Sequence, residues 1–417
     1  MAELRFSAMR KILVKKYGGT SVGSIERIES LADRLVRDIA RGEMPIVVAS
    51  AMSGETNKLI ALAEKIDPDY RGPAYDMLIA SGEQVSISLL AIALQKRGVK
   101  TQPLLAYQLG ILTDSVHAKA RIKDINSERL LKLVRLGIVP IVAGFQGVDE
   151  DDNITTLGRG GSDTTAVALA AAIGADECEI YTDVPAVFTA DPRLVPNARE
   201  ISRISYDEMM EMAALGSKVL HIRCVEIGAK YNVKIHLRST FEEREGTWIL
   251  PEGEVMEQPV VSSVTHDANT AVFKLFPVPA GTRFLAELFK TLAARGVVVD
   301  IITQSDADDT DPSKGQRLAF SVTKEDVPLT RQVLKEMVKE TVQVNSIENM
   351  AKISVVGVGM RNHPGVAARF FHTLADLEVP IHIVTTSEIK ISAVIAQSDL
   401  RKSAIALHTE FSLDKAD

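Results

Sequence analysis

At 417 residues the chain is longer than one compact core holds, and two or three domains are expected. A net charge of −7 and an aromatic content of 5% exclude a general nucleic-acid binder, which needs a dominant basic surface or stacking platforms. No apolar run approaches the roughly 18 residues of a membrane span. Residues 1–11 carry no apolar signal core, so a cytoplasmic protein without a membrane partner is expected.

Residues 11–16 (KILVKK) read as a strand that runs into Lys16-Tyr17-Gly18-Gly19-Thr20-Ser21. Paired glycines let backbone N–H groups crowd an anion, the following helix (25–40) would aim its positive end there, and Lys16 would add a point charge. The same residues also fit a plain turn with a solvent lysine. A strand at 45–50 (PIVVAS), helices at 57–65, 75–97 and 127–136, and a strand at 138–143 (IVPIVA) follow.

Next comes Thr156-Leu157-Gly158-Arg159-Gly160-Gly161-Ser162-Asp163, opening an alanine-rich helix at 163–173. Ser162 and Asp163 read as its N-caps and Gly174 as its left-handed C-terminal residue. The three glycines make a second candidate anion site, and Arg159 offers a planar fork for a carboxylate. Asp163 is either part of that site or only a cap. After a strand at 179–182 (EIYT), residues 180–193 fit a nucleotide rim or merely a loop. The alternation predicts an α/β domain with a mainly parallel central sheet sandwiched by helices.

Cys178 and Cys224 have no metal-type spacing and read as buried or idle thiols of a reducing cytosol. His117 and His221 read as ordinary polar or core histidines, and no protein-held metal is expected. Residues 250–259 (LPEGEVMEQP) look like a linker. Beyond it, 285–305 aligns with 367–387 without a gap, 82 residues apart and identical at nine of 21 positions, which favours duplication over chance. Each copy reads as helix, turn and strand with β-branched flanks, giving two βαββαβ units of about 70 residues.

The chain has neither a P-loop GxxxxGK[ST] nor the HRD and DFG landmarks of protein kinases. Taken in order, KYGGTSV (16–22), SAMSGETN (50–57), SGE (81–83), GFQG (144–147), TTLGRGGSDTTAVALAAAIGA (155–175), YTDV (181–184), FTADPR (188–193) and GSK (216–218) resemble the aspartokinase branch of the amino acid kinase family. The C-terminal repeats resemble that family's ACT domains. The resemblance implies a kinase domain at 9–250, a linker at 251–259, and ferredoxin-like ACT regulatory domains at 269–345 and 346–417. The strand at 260–268 is a candidate to complete the second of these.

The implied reaction moves the ATP γ-phosphate to the side-chain carboxylate of L-aspartate, the first step toward lysine, threonine and methionine. Mg²⁺ would be bound mainly through the nucleotide phosphates. By the same resemblance Lys16 and Asp163 are catalytic, and Thr56, Glu83, Arg159, Gly160, Gly161 and Ser162 bind aspartate. Lys16, Gly18, Gly19, Ser50, Thr182, Asp183, Phe188, Arg193 and Lys218 serve the nucleotide.

Lysine, threonine or both are the implied effectors, at Gln304, at Asn362, His363, Pro364 and Gly365, and at Thr385, Thr386, Ser387 and Glu388. A homodimer or larger assembly through the ACT domains is expected. A kinase of the same fold for N-acetylglutamate, glutamate or UMP, and a catalytically dead sensor, are the rival readings. The ACT-like repeats and the joint presence of Lys16, Glu83, Arg159 and Asp163 weigh against them.

Overall fold

Nearly every side chain of Ile12–Tyr17 and Met44–Ala49 is buried, as strands covered on two faces require. They form the middle of an eight-stranded sheet. Its spatial order is Arg203–Ser205, Thr247–Leu250, Ile235–Ser239, Glu177–Thr182, Ile12–Tyr17, Met44–Ala49, Val139–Ala143, Thr101–Leu104. All neighbours run parallel except Ile235–Ser239 with Thr247–Leu250.

The computed structural model describes residues 11–216, 219–255, 259–306 and 315–415. They fall into two units. The first runs through Val187 and includes Glu200–Ala213 and 219–255. The second comprises Phe188–Arg199, 214–216 and the chain from 259 onward.

In the first unit the helix Ile25–Ala40 has the expected bounds, and Ser24 caps it by accepting from the Arg27 N–H at 3.3 Å. Its Ile28, Leu31 and Leu35 pack with Ile87, Leu90 and Leu94 of Ser81–Lys96 against Tyr17, Val47 and Ile141 of the sheet. The expected single helix 75–97 is instead two, Pro73–Ile79 and Ser81–Lys96. At the join the Ser81 hydroxyl donates to the Leu78 carbonyl (2.7 Å) and the Gln146 amide to the Ala80 carbonyl (3.3 Å), competing with the helical bonds.

Taken as one stretch, 73–96 is long and apolar enough to cross a membrane by length and composition alone, with an 18-residue window of mean hydropathy 1.7. It is longer than any apolar run expected from the sequence. Since 56% of that window is buried within the protein, it is a core helix.

The alanine-rich helix spans Gly161–Ile173. The expectation that Ser162 and Asp163 cap it is corrected. The cap position is Gly160, left-handed at φ 66°, which puts both residues inside the first turn and frees their side chains. Gly174 does end the helix in the left-handed conformation, at φ 61°.

Strand alternation sends Lys15 and Lys16 to opposite faces of the sheet. Lys15 is buried under Ile25–Ala40, with Nζ 2.8 Å from Asp38, 2.5 Å from Glu43 and 3.1 Å from Glu179. Glu179 also takes Arg238 at 2.9 Å. A buried cation with three carboxylates and a second cation is a compensated cluster. By fixing Lys15 it commits Lys16 to the other face.

A smaller sheet, absent from the sequence reading, pairs Ile122–Ile125, Ile111–Thr113, Gln146–Val148 and Ile154–Thr156 in that order. It carries two loops, 114–121 and 157–161.

The second unit is a six-stranded sheet, ordered Val299–Asp306, Gln316–Val322, Ser263–Val278, Gln343–Val356, Lys390–Ala396, Ile383–Ser387. The helices Thr282–Ala294, Val327–Met337, Val366–Asp376 and Leu400–Glu410 accompany it. The repeated helix and strand fall where expected, as Thr282–Ala294 with Val299–Asp306 and Val366–Asp376 with Ile383–Ser387. Ser263–Val278 is one continuous strand, pairing with Gln316–Val322 through one half and along Gln343–Val356.

Phe188–Arg199, which lies within the expected kinase domain at 9–250, packs with this second unit. Ala190 and Val195 join the core of Val366, Phe370 and Leu407. The Thr189 hydroxyl meets His408 Nε2 at 2.9 Å, and Arg199 donates to the Leu413 carbonyl at 2.9 Å.

Candidate active site

The ends of Ile12–Tyr17, Met44–Ala49 and Glu177–Thr182 open into a cleft of about 1090 Å³ in the first unit. Thirteen residues singled out from the sequence line it. From the first half come Lys16, Gly18, Gly19, Ser50, Thr56 and Glu83. From the second come Arg159, Gly160, Gly161, Ser162, Asp163, Thr182 and Asp183. Ligands of open α/β sheets occupy such crevices beyond the strand ends.

Lys16, on the last turn of its strand, places Nζ 2.6 Å from Asp163 Oδ1, with the two side chains 10% and 13% exposed. The pair links the first strand to the start of Gly161–Ile173. That helix and Glu55–Glu64 both bring their N-terminal residues to the cleft, through Gly161 and Ser162 and through Thr56 and Asn57. The Gly161 N–H is taken by the Gly158 carbonyl and that of Glu55 by the Met52 carbonyl, both at 3.0 Å, but the positive ends of the two helices still suit an anion. The helix at 25–40, expected to play that part, does not reach the cleft. Ser24 already takes one of its N–H groups, and Arg27 donates to the Thr20 carbonyl at 2.5 Å.

Gly160 is the position where glycine is required. Its φ of 66° strains other residues, and a methyl there would lie 2.2 Å from His221 Cβ. His221 itself lines the cleft and caps Ile222–Tyr231, its Nδ1 accepting from the Arg223 N–H at 3.3 Å. Burial and the Arg223 guanidinium hold the His221 imidazole below its ordinary pKa. It is therefore part of the wall, not the incidental histidine of the sequence reading.

Glu83 is 2% exposed at the bottom of the cleft. One carboxylate oxygen accepts from the Ala51 N–H at 3.0 Å, while Oε2 has no hydrogen-bond partner among the described residues. Burial pushes this carboxyl up to about 7, against the pull of the Ala51 N–H. An unpartnered buried carboxylate oxygen facing a cleft is the complement of a ligand ammonium.

Arg159 is exposed and makes no ion pair among the described residues, so its fork is open to a ligand. Lys119, Arg121 and Arg223 also line the cleft and were missed. Lys16 and these four arginines and lysines outnumber Glu83, Asp163 and Asp183. The balance favours a polyanionic ligand.

Two expected nucleotide residues, Phe188 and Arg193, lie in the second unit instead. Arg193 is 89% exposed and doubly bonded to Asp191. Lys218 lies outside the described residues.

The effector candidates divide as well. Gln304 is on Val299–Asp306 and Thr385, Thr386 and Ser387 on Ile383–Ser387, which are the opposite edges of the six-stranded sheet. Asn362 ends the short turn Val358–Asn362, His363, Pro364 and Gly365 follow it, and Arg361 reaches Glu388 at 3.3 Å, so these two groups share one end.

Residues 11–239 match the sequence model of the amino acid kinase family, and 353–411 match that of an ACT domain. The chain is 46% identical over 407 residues to an aspartokinase of Pseudomonas aeruginosa, covering 97% of this chain and 98% of that one. It is 44% identical over 407 residues to aspartokinase 2 of Bacillus subtilis, with the same coverage.

The crystal structure of E. coli aspartokinase III in complex with aspartate and ADP (R-state) superposes with a TM-score of 0.78 at 25% identity, covering 96% of this chain and 99% of that one. The complex of the same enzyme with lysine and aspartate (T-state) gives 0.79 at 26%, with the same coverage. The chain belongs to the amino acid kinase family and, within it, to the aspartokinases.

Proposed function

We propose that the cleft holds ATP and L-aspartate side by side, with Lys16 between the γ-phosphate and the attacking side-chain carboxylate. The carrying observation is the convergence of the Lys16–Asp163 pair, the Arg159 turn and buried Glu83 on one cleft. A carboxylate nucleophile is already ionised near pH 7, since its unperturbed pKa is about 3.9. No general base is needed, and the barrier is repulsion between two anions. Lys16 offsets it as negative charge shifts along the transferring group, while Asp163 keeps the ammonium in place.

Glu83 takes the substrate ammonium, Arg159 its α-carboxylate, and Thr56 with Gly160, Gly161 and Ser162 completes that end. Gly18, Gly19, Ser50, Thr182 and Asp183 line the nucleotide side. Among the described residues no three His, Cys, Asp or Glu side chains gather as metal ligands would. A Mg²⁺ ion would thus be carried mainly by the phosphates, with a single carboxylate such as Asp183 or Asp163 within reach, and would supply charge neutralisation there.

The E. coli relative was crystallised with lysine in its T-state, and the effector here is lysine, threonine or both, acting on the ACT region. Among the described residues the outer strands Val299–Asp306 and Ile383–Ser387 leave unpaired edges, which suits assembly with a second copy in the cytoplasm.

The test is ADP release with ATP and aspartate, with and without lysine and threonine. No release with any carboxylate acceptor would sink the reading, and release with N-acetylglutamate in place of aspartate would move it to a neighbouring kinase. Arg159→Ala should raise the aspartate KM by about 10- to 100-fold, the range for a hydrogen bond to a charged group, and leave the ATP KM unchanged. An effect confined to ATP would show Arg159 serving the phosphates instead.

A further inference from the structure

Asp76 does not line the cleft, yet it is fully buried and gathers four donors, two from the loop 114–121 and two from Thr156, the strand residue next to the turn 157–161. Its carboxylate accepts from the Ala118 N–H (3.0 Å), the Thr156 N–H (3.0 Å), the Thr156 hydroxyl (2.6 Å) and His117 Nδ1 (2.7 Å). Ala118 and His117 belong to the loop 114–121, which presents Lys119 and Arg121. Thr156 is the last residue before the turn that presents Arg159.

Two further observations point the same way. Ala118 is held at φ 64°, a left-handed conformation that a non-glycine residue keeps only when its surroundings enforce it. Its N–H is the group bonded by both Asp76 oxygens. In addition, Arg223 ties the same two loops from the other side, donating to the Leu157 carbonyl (2.5 Å) and the Ala120 carbonyl (2.9 Å).

We infer that Asp76 is a positioning residue that locks the loop 114–121 to the glycine turn 157–161, so that Lys119, Arg121 and Arg159 form one preset cationic wall at the aspartate end of the cleft. A carboxylate is suited to this because four donors converge on it, and an ionised acceptor takes them all without offering a hydrogen of its own. Asparagine would turn an N–H₂ toward donors. The inference rests on the reading of the cleft given above, in that aspartate is the ligand of that wall.

The test uses the full chain with saturating co-substrate. Asp76→Asn and the milder Thr156→Val, which removes one donor and keeps the fold, should each raise the aspartate KM by about tenfold or more. The ATP KM and kcat should stay within about twofold, because Gly19, Ser50 and Lys16 lie on other elements. Equal changes in both KM values, or a fall in thermal stability with the aspartate KM unmoved in Thr156→Val, overturns the inference. Arg159→Ala serves as the control. If that variant alone leaves the aspartate KM unmoved, the carboxylate role of Arg159 fails, while Asp76 still answers for Lys119 and Arg121.

Discussion

Lys16→Ala is expected to slow turnover by about two to three orders of magnitude, the loss typical of deleting one preorganised electrostatic donor, or about 3 kcal/mol. The reason lies in where the ammonium is held. It is nearly buried, 2.6 Å from Asp163, at the end of a central strand whose preceding residue is fixed by three carboxylates. It cannot swing away to solvent, so its charge is already in place when the phosphoryl group transfers. The deficit should appear in kcat at saturating ATP and aspartate, since the interaction grows as charge moves. Lys16→Arg should recover little, because a guanidinium is a wide planar fork that cannot occupy an ammonium's place beside Asp163. A kcat for Lys16→Ala within threefold of the parent would take Lys16 out of the chemistry.

The first strand and its lysine were readable because KILVKK is short, β-branched and followed by two glycines. The helix 25–40 was readable for its amphipathic period. What failed is also explicable. The small sheet consists of three- and four-residue strands such as Gln146–Val148, too short for any period to show. Lys119, Arg121 and Arg223 carry no motif; the first two matter because Asp76 holds their loop beside the glycine turn, and Arg223 because its helix Ile222–Tyr231 brings it against both loops, which are long-range effects. That Phe188 and Arg193 pack with the second unit was not legible, for the converse reason. FTADPR follows a strand end that does reach the cleft, and nothing local announces that Ala190 and Val195 are core residues of the other unit. Ser162 and Asp163 look like caps by type, but a left-handed Gly160 had already turned the chain one step earlier.

Glu83 makes the aspartate end of the cleft sensitive to pH, and in an uncommon direction for a carboxyl. Burial lifts it from its ordinary 4.5 to about 7, so the empty site is largely protonated at pH 6 and largely ionised at pH 8. A ligand ammonium pairs only with the ionised form. The aspartate KM should therefore climb toward tenfold per pH unit below about 7 and level off above it, with the ATP KM unaffected. Glu83→Gln should abolish that slope and raise the aspartate KM by about two orders of magnitude or more, the cost of leaving one member of a buried charge pair alone.

Stability should move the opposite way. A carboxyl that holds its proton more tightly when folded loses folding free energy as pH rises from 4.5 through about 7. Gln has no charge to desolvate, and its carbonyl can keep the Ala51 N–H. The variant should thus melt higher than the parent at pH 8 while binding aspartate far worse. A flat pH profile in the parent, or a variant weakened in both stability and ATP binding, would mean that Glu83 is a structural residue and that the substrate ammonium lies elsewhere.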